Sequence, residues 1–356
     1  MEKDLINRRQ MLALAFVALL SPVARRFPSA LVAVSSSAAW LAAPIAALPL
    51  LLMILFMSAL LRGGRTLVEV FELSFGPFVG RGTILLISLW LCFNGGFVLR
   101  SAAYRFTSTV YPSAPAWIFV VFSALACLPI ALGKFSSIAR MAVLFRPLLL
   151  AALALVFVFA LADGDFRGVF TFKESDSIPV LKSAFAVVNT LSLVCYLGFA
   201  ENRCGEKLKS SRYILWALVL LVITELLCLS CLGIFGAELT FKLNYPFFML
   251  VRDINVFNSF ARMEALVLAL WMFADAVLFS LLLWLASRNF SRCLNWGSSP
   301  CTIASAVLSS AIALMLPSDM LGVGLFSEKI VPFGNALIIF ALLPLTFLLG
   351  KARKKI

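Results

Sequence analysis

The residues of this sequence that could do chemistry are a few charged side chains inside or beside otherwise apolar segments. Arg100, Glu225 and Asp275 each fall within a hydrophobic stretch, and Arg25 follows another. An ionisable group within a membrane is costly unless it is paired or faces water, so each of these residues is a functional candidate. Glu225 and Asp275 could hold a coupling proton or cation, or could be buried against a partner such as Arg146.

The two arginines allow two interpretations each. Arg100 could contact the carboxylate of a ligand or close a gate, or it could form a structural ion pair or a hydrogen bond to carbonyls at a helix end. Arg25 could attract an anionic ligand, or it could end its helix and extend its charge toward the aqueous boundary.

The residue inventory excludes several kinds of chemistry. The chain has no histidine, which rules out imidazole catalysis and histidine metal sites. Cys228 and Cys231 have the CxxC spacing, but both fall in one apolar segment, which favours packing over a redox or metal role. No pair of nucleophile and base is visible. We therefore expect no enzyme activity, no cofactor, no metal and no disulfide framework.

The elements that must position these residues are transmembrane helices. Of 356 residues, 62% are hydrophobic and 13% charged, and the mean hydropathy is +1.03. Apolar stretches of about 20 residues, the length that crosses a bilayer, recur along the chain. The net charge of +13 comes from basic residues at helix ends and in short loops. These residues indicate contact with anionic lipid and no binding of nucleic acid.

The sequence predicts an all-α polytopic protein that forms one transmembrane domain over residues 1–356. About ten helices are expected near residues 10–33, 37–61, 83–110, 116–133, 138–162, 180–201, 212–235, 262–287, 299–316 and 330–350. Residues 63–81 predict a short amphipathic helix along the membrane surface. Lysines and arginines concentrate on one set of loops, which places both termini in the cytoplasm. Alternatively, Arg8 and Arg9 followed by an apolar run could form a signal peptide.

Four stretches of the chain are similar to one known family. They are GRTLVE at 64–69 with Gly76 and Gly80, Leu99 and Arg100 with YPSAP at 111–115, Gly133 with IAR at 138–140, and YPFFMLVR at 245–252 with FARMEA at 260–265 and Trp271. Together they resemble the endospore germination permease family. Its members are the B subunits of spore nutrient-germinant receptors, within the amino acid, polyamine and organocation transporter superfamily.

The resemblance implies a LeuT-like fold of two inverted five-helix repeats, about residues 10–162 and 180–350. Helices one and six would be broken near the midplane, so that free backbone groups and helix dipoles meet a small ligand. The ligand-binding residues it implies are Ser21, Pro22, Val23, Ala24, Arg100, Tyr196, Leu197, Gly198, Phe199, Ala200 and Glu201. The residues that their charge within or beside apolar segments suggests for an ion or a gate are Arg25, Glu225 and Asp275.

The chain departs from the family pattern in both broken helices. Helix one has prolines where related permeases usually place glycines. In helix six, Ala200 stands where the family has an acid, and Glu201 comes one residue later. One residue turns an α-helix by about 100°, so whether Glu201 replaces that acid is open.

The resemblance implies a nutrient sensor. Such a protein would bind a small nutrient, an amino acid, at the spore inner membrane and signal through a membrane A subunit and a lipoprotein C subunit. The alternative is a secondary amino acid transporter coupled to a proton or a cation.

Overall fold

The computed structural model describes residues 4–61, 64–205, 210–253, 263–317 and 319–353. Nearly all of these residues are helical. The α-helices are α1 (Arg8–Arg26), α2 (Ser29–Ser35), α3 (Ala42–Leu60), α4 (Leu67–Phe75), α5 (Pro77–Thr109), α6 (Ala116–Leu132), α7 (Phe135–Asp163), α8 (Ser177–Leu191), α9 (Ser210–Lys242), α10 (Pro246–Asp253), α11 (Met263–Leu294), α12 (Ser298–Met315), α13 (Met320–Leu325), α14 (Val331–Ala336) and α15 (Leu343–Ala352). Shorter 3₁₀ and π segments join several of them, so that residues 320–352 form one continuous helical rod.

Eight helical stretches among the described residues are long and apolar enough to cross a membrane. They confirm a polytopic membrane protein. Two further helices fall on predicted spans but lie outside that set: α6 has 17 residues, and α1 carries arginines at both ends. The count of ten spans stays a prediction. Helix α11 lies at the centre of the bundle, where it packs against α1, α5, α7 and α12.

The first helix changes direction later than the prolines suggest. Pro22 lies inside α1, and the helix continues to Arg26. Phe27 then adopts an extended conformation, with ψ of 146°, before Pro28 and α2. Residues 21–24 are therefore helical, because Pro22 removes one backbone donor without ending the helix. Met11, Leu14 and Val17 are fully buried, so α1 is a core helix of the bundle.

The sixth predicted helix changes its winding near its middle. Helix α8 ends at Leu191, and Ser192–Arg203 continues as a 3₁₀ helix of 12 residues. Such long 3₁₀ runs are uncommon and often mark a hinge or local strain. The segment 196–201, expected to unwind, thus keeps a tighter helical winding.

Helix α4 confirms the short amphipathic helix expected after the second span. Thr66 and Glu69 form a capping box at its start, and Gly76, with φ of 89°, ends it before Pro77 begins α5. Its apolar face is buried, with Val70 and Phe71 fully so, and it packs against α5 and α15.

The segment before α1 is tied to two other elements. The carboxylate of Asp4 accepts hydrogen bonds from the backbone N–H groups of Phe135, at 2.6 Å, and Ser136, at 3.2 Å, and so caps the start of α7. Burial raises the pKa of Asp4, but the hydrogen bonds from Ser136 and Phe135 outweigh it and hold the pKa below its usual value. Ile6 pairs with Cys204 at the end of the 3₁₀ segment. We call this end of the bundle the N-terminal side.

Candidate functional site

A cavity lies in the centre of the bundle, between α1, α5, the end of α8 with its 3₁₀ continuation, α11 and the C-terminal rod. The space open to the centre of a water molecule is about 50 Å³. That volume holds about four waters or a small solute. Its wall is mostly apolar, and its polar side chains are Arg25, Asn94, Asn189, Thr190, Tyr196, Ser327 and Asn335.

Asn335 fixes one wall of the central cavity. Its Oδ1 accepts hydrogen bonds from Trp90 Nε1, at 2.8 Å, and from the Tyr196 hydroxyl, at 2.9 Å. These bonds connect α14 with α5 and with the 3₁₀ segment. The wall is therefore held by three elements, and a ligand that displaces one of them acts on all three.

Asn189 presents an unused acceptor on the cavity wall. Its Nδ2 donates to the backbone carbonyl of Pro332 at 2.7 Å, which fixes the orientation of the amide. Its Oδ1 is buried and has no hydrogen-bond partner among the described residues. A donor placed in the cavity would satisfy this oxygen.

Arg25 lies between the central cavity and a second cavity of about 170 Å³. The second cavity is on the side of the bundle opposite the N-terminal side, and Tyr104, Tyr245 and Glu328 are part of its wall. The guanidinium of Arg25 stacks over Phe97, 5.0 Å from the ring centre. Its Nε and Nη1 are buried without a hydrogen-bond partner in the described part of the chain. Any solute passing between the cavities would meet this side chain.

A buried ion pair lies beside the central cavity. Arg105, on α5, contacts the carboxylate of Asp275, on α11, and the Ser21 hydroxyl donates to the same carboxylate. Trp271 Nε1 donates to Ser21 Oγ at 3.2 Å, and the Arg105 guanidinium lies 4.2 Å from the centre of the Trp271 ring. Asp275 is therefore buried against an arginine, as one of its two interpretations expected, but the partner is Arg105 and not Arg146.

Arg100 does not line either cavity. It is 6% exposed, and its Nε donates to the backbone carbonyl of Pro317 at 2.8 Å. This bond ties α5 to the segment that follows α12. This contact corresponds to the structural interpretation of Arg100, in which the guanidinium bonds to a backbone carbonyl.

The structure brings together only some of the residues that sequence reasoning assigned to the site. Those on the central cavity wall are Pro22, Arg25, Tyr196 and Leu197, and Ser21 and Asp275 join in the adjacent ion-pair cluster. Gly198 instead faces Leu67, since a Cβ built on it would lie 2.9 Å from Leu67 Cγ. Phe199 stacks on Phe71 of α4, with ring centres 6.3 Å apart.

The remaining candidates are distributed elsewhere. Val23, Ala24, Ala200 and Glu201 are absent from the wall of the central cavity. Glu225, on α9, is also absent from it, and its Oε2 is buried without a partner among the described residues. The residues 260–262 of the fourth family-like stretch lie outside the described residues.

The comparisons with known proteins assign the family. The model of the spore permease family, described as spore germination protein, matches residues 5–320. The chain belongs to the spore germination permease family. A search of curated proteins found no significant match.

A solved structure gives the fold of this spore germination permease. The crystal structure of MhsT in complex with L-phenylalanine resembles it with a TM-score of 0.63, at 17% identity, over 98% of this chain and 89% of MhsT. MhsT has the LeuT fold. The germination permease therefore has the LeuT-like fold that the family resemblance implies.

Three functional candidates of this germination permease escaped sequence reasoning. Arg105 follows Arg100 by five residues toward the end of α5, and it is fully buried against Asp275 and Trp271. Asn189 and Asn335 are uncharged and so drew no notice. The signal that could have found them is a polar amide inside an apolar helix, which usually has a partner or a ligand.

Proposed function

We propose that this chain is the nutrient-binding permease subunit of a spore germinant receptor, with an amino acid as its nutrient. The central cavity carries the proposal, because it lies where α1, α5, the 3₁₀ segment and α11 meet. Two of these elements change their winding or direction close to it. The family and the LeuT-like fold support it. MhsT, which shares the fold, was crystallised in complex with L-phenylalanine.

The proposal includes signalling through other subunits. As in the germinant receptors that the sequence resembles, the partners are a membrane A subunit and a lipoprotein C subunit. The protein would lie in the spore inner membrane, with both termini in the cytoplasm and the second cavity toward the outer face. Binding in the central cavity would shift Asn335 and the C-terminal rod, and this movement would reach the partners. No covalent chemistry is part of the proposal.

A second candidate function is secondary transport coupled to a proton or a cation. Asp275 is the carboxylate beside the central cavity that such coupling would use. Its charge is already balanced by Arg105, and its oxygens accept from Arg105 and Ser21. A mobile cation at Asp275 would have to displace a tethered guanidinium. This arrangement favours the sensor over the coupled transporter.

Two measurements test the proposal. The purified chain is reconstituted alone in liposomes, and binding and uptake of radiolabelled amino acids are measured with and without proton and sodium gradients. A sensor binds an amino acid but shows no gradient-driven uptake above that of empty liposomes. Robust uptake by the lone chain would establish the transporter instead. Co-purification of tagged A and C subunits with the chain from spore membranes tests the partners.

A further inference from the structure

Two unsatisfied polar groups of opposite kind line the central cavity. Among the described residues on its wall, Arg25 and Asn189 are those with buried polar atoms that lack a hydrogen-bond partner. Arg25 offers the donors Nε and Nη1, and Asn189 offers the acceptor Oδ1. A buried polar atom without a partner is costly, typically about 1–3 kcal/mol, and more when the group is charged. A ligand in the central cavity that carries both an acceptor and a donor would satisfy these three atoms.

The electrostatics around Arg25 favour an anion. The charged groups that act on its guanidinium are Asp275 and Arg105. Arg25, Arg105 and Asp275 together leave one excess positive charge around the Arg25 guanidinium. Glu328, the carboxylate on the second cavity wall, is exposed, so solvent screens it. Arg105 also has nitrogens without partners, but it lies over Trp271 and lines neither cavity.

Asn189 suits the opposite end of the ligand. Its amide cannot turn over without losing the bond from Nδ2 to the Pro332 carbonyl, so Oδ1 stays available as an acceptor. An ammonium group can donate a hydrogen bond to this oxygen. Because the Asn189 amide is neutral, the bond places no second negative charge in the interior. Asn189 lies at the end of α8, close to the start of the 3₁₀ segment.

We infer that Arg25 binds the α-carboxylate and that Asn189 Oδ1 accepts from the α-ammonium of an amino acid in the central cavity. This inference rests on the proposed function and names the two groups that recognise the zwitterion. Arg25 also lines the second cavity, so the carboxylate meets it on entry. The guanidinium lies over the ring of Phe97. Binding would exchange that contact for charge-assisted hydrogen bonds.

The test uses paired ligands on the full chain in lipid nanodiscs. Each of the protein amino acids is first titrated by calorimetry. The tightest binder is then compared with its amide, which lacks the carboxylate, and with its des-amino acid, which lacks the ammonium. For the native chain, we expect both analogues to bind at least about tenfold more weakly.

Two variants separate the two roles. Arg25→Gln should abolish the preference for the acid over the amide but keep the preference for the amine-bearing ligand. Asn189→Leu should do the reverse. Arg25→Lys should retain part of the acid preference, because it keeps the charge without the fork of the guanidinium. Each readout is a ratio of two affinities on the same folded molecules, so a lower yield of a variant does not affect it.

A matched control removes a positive charge on the same side of the bundle. Arg167 is exposed in the loop after α7 and lines neither cavity, so Arg167→Gln should keep both preferences. If acid and amide bind the native chain equally, or if Arg25→Gln keeps the acid preference, the inference is overturned while nutrient binding stands. If no amino acid binds, the proposed function fails and the inference with it.

Discussion

Arg105 lies against Asp275 in the interior of the bundle, and the ion pair joins α5 to α11. Arg105 is 0% exposed and Asp275 is 5% exposed, so neither charge can reach water by a change of rotamer. Ser21 and Trp271 extend the contact to α1 and to the aromatic side chains beside it. The pair therefore fixes the position of three helices next to the central cavity.

We predict that removing one partner of this pair destabilises the protein more than removing Arg100. Arg105→Ala or Asp275→Asn should lower the free energy of unfolding by about 3–5 kcal/mol, since it leaves a buried charge uncompensated. The double variant Arg105→Met with Asp275→Leu should lose less than either single change. Thermal unfolding of purified variants measures this order. Equal losses from Arg105→Ala and Arg100→Ala would contradict it.

We predict opposite effects for alanine at two glycines of α5. A Cβ at Gly96 would lie 2.7 Å from the Ser309 carbonyl oxygen on α12, so Gly96→Ala should force the helices apart and cost about 1–3 kcal/mol. Gly82 has no neighbouring atom within 4 Å of such a Cβ. Gly82→Ala should be neutral or stabilise by up to about 1 kcal/mol through helix propensity. Unfolding temperatures of the two variants in the same detergent distinguish them.

We predict that Gly198→Val acts through packing against α4. The added side chain would meet Leu67 and Leu61, so membrane abundance and thermal stability should fall. The concentration of nutrient for half-maximal response, normalised to the remaining protein, should be unchanged. Leu67→Ala, which makes room, should partly restore abundance in the double variant. A shifted half-maximal concentration without loss of abundance would place Gly198 in the ligand site, as the family resemblance implies.

We predict that the contact of Asp4 with the start of α7 gives a pH-dependent contribution to stability. Because the pKa of Asp4 is lower in the folded protein than in the unfolded chain, the contribution is complete above the unfolded pKa. It is lost as the pH falls through the folded pKa. Asp4→Asn should lower stability at neutral pH and show a smaller further loss in acid. Unfolding temperatures of both proteins across the acidic range provide the test, and parallel curves would contradict it.

The hydropathy of the sequence determined the class of fold and the approximate position of the long apolar helices. Burying an apolar segment in lipid depends on the segment itself, so it can be evaluated without knowing its neighbours. The free-energy cost of an ionisable side chain in lipid also depends on the segment itself, and it marked Arg25, Glu225 and Asp275 as unusual. The short helix α4 was also predicted, because the apolar residues of the segment 63–81 recur at helical spacing.

Only the tertiary structure decided which groups meet. Arg105 and Asp275 are 170 residues apart, and their pairing depends on how α5 and α11 pack. The direction in which Gly198 faces depends on the type of helix that contains it. A 3₁₀ helix has about 3.0 residues per turn, whereas an α-helix has 3.6. The faces of residues 192–203, which form a 3₁₀ helix, could therefore not be assigned from α-helical spacing. The orphan atoms of Arg25 and Asn189 likewise emerge only when α1, α8 and the C-terminal rod enclose one cavity, since a hydrogen-bond deficit belongs to the packed state and to no single residue.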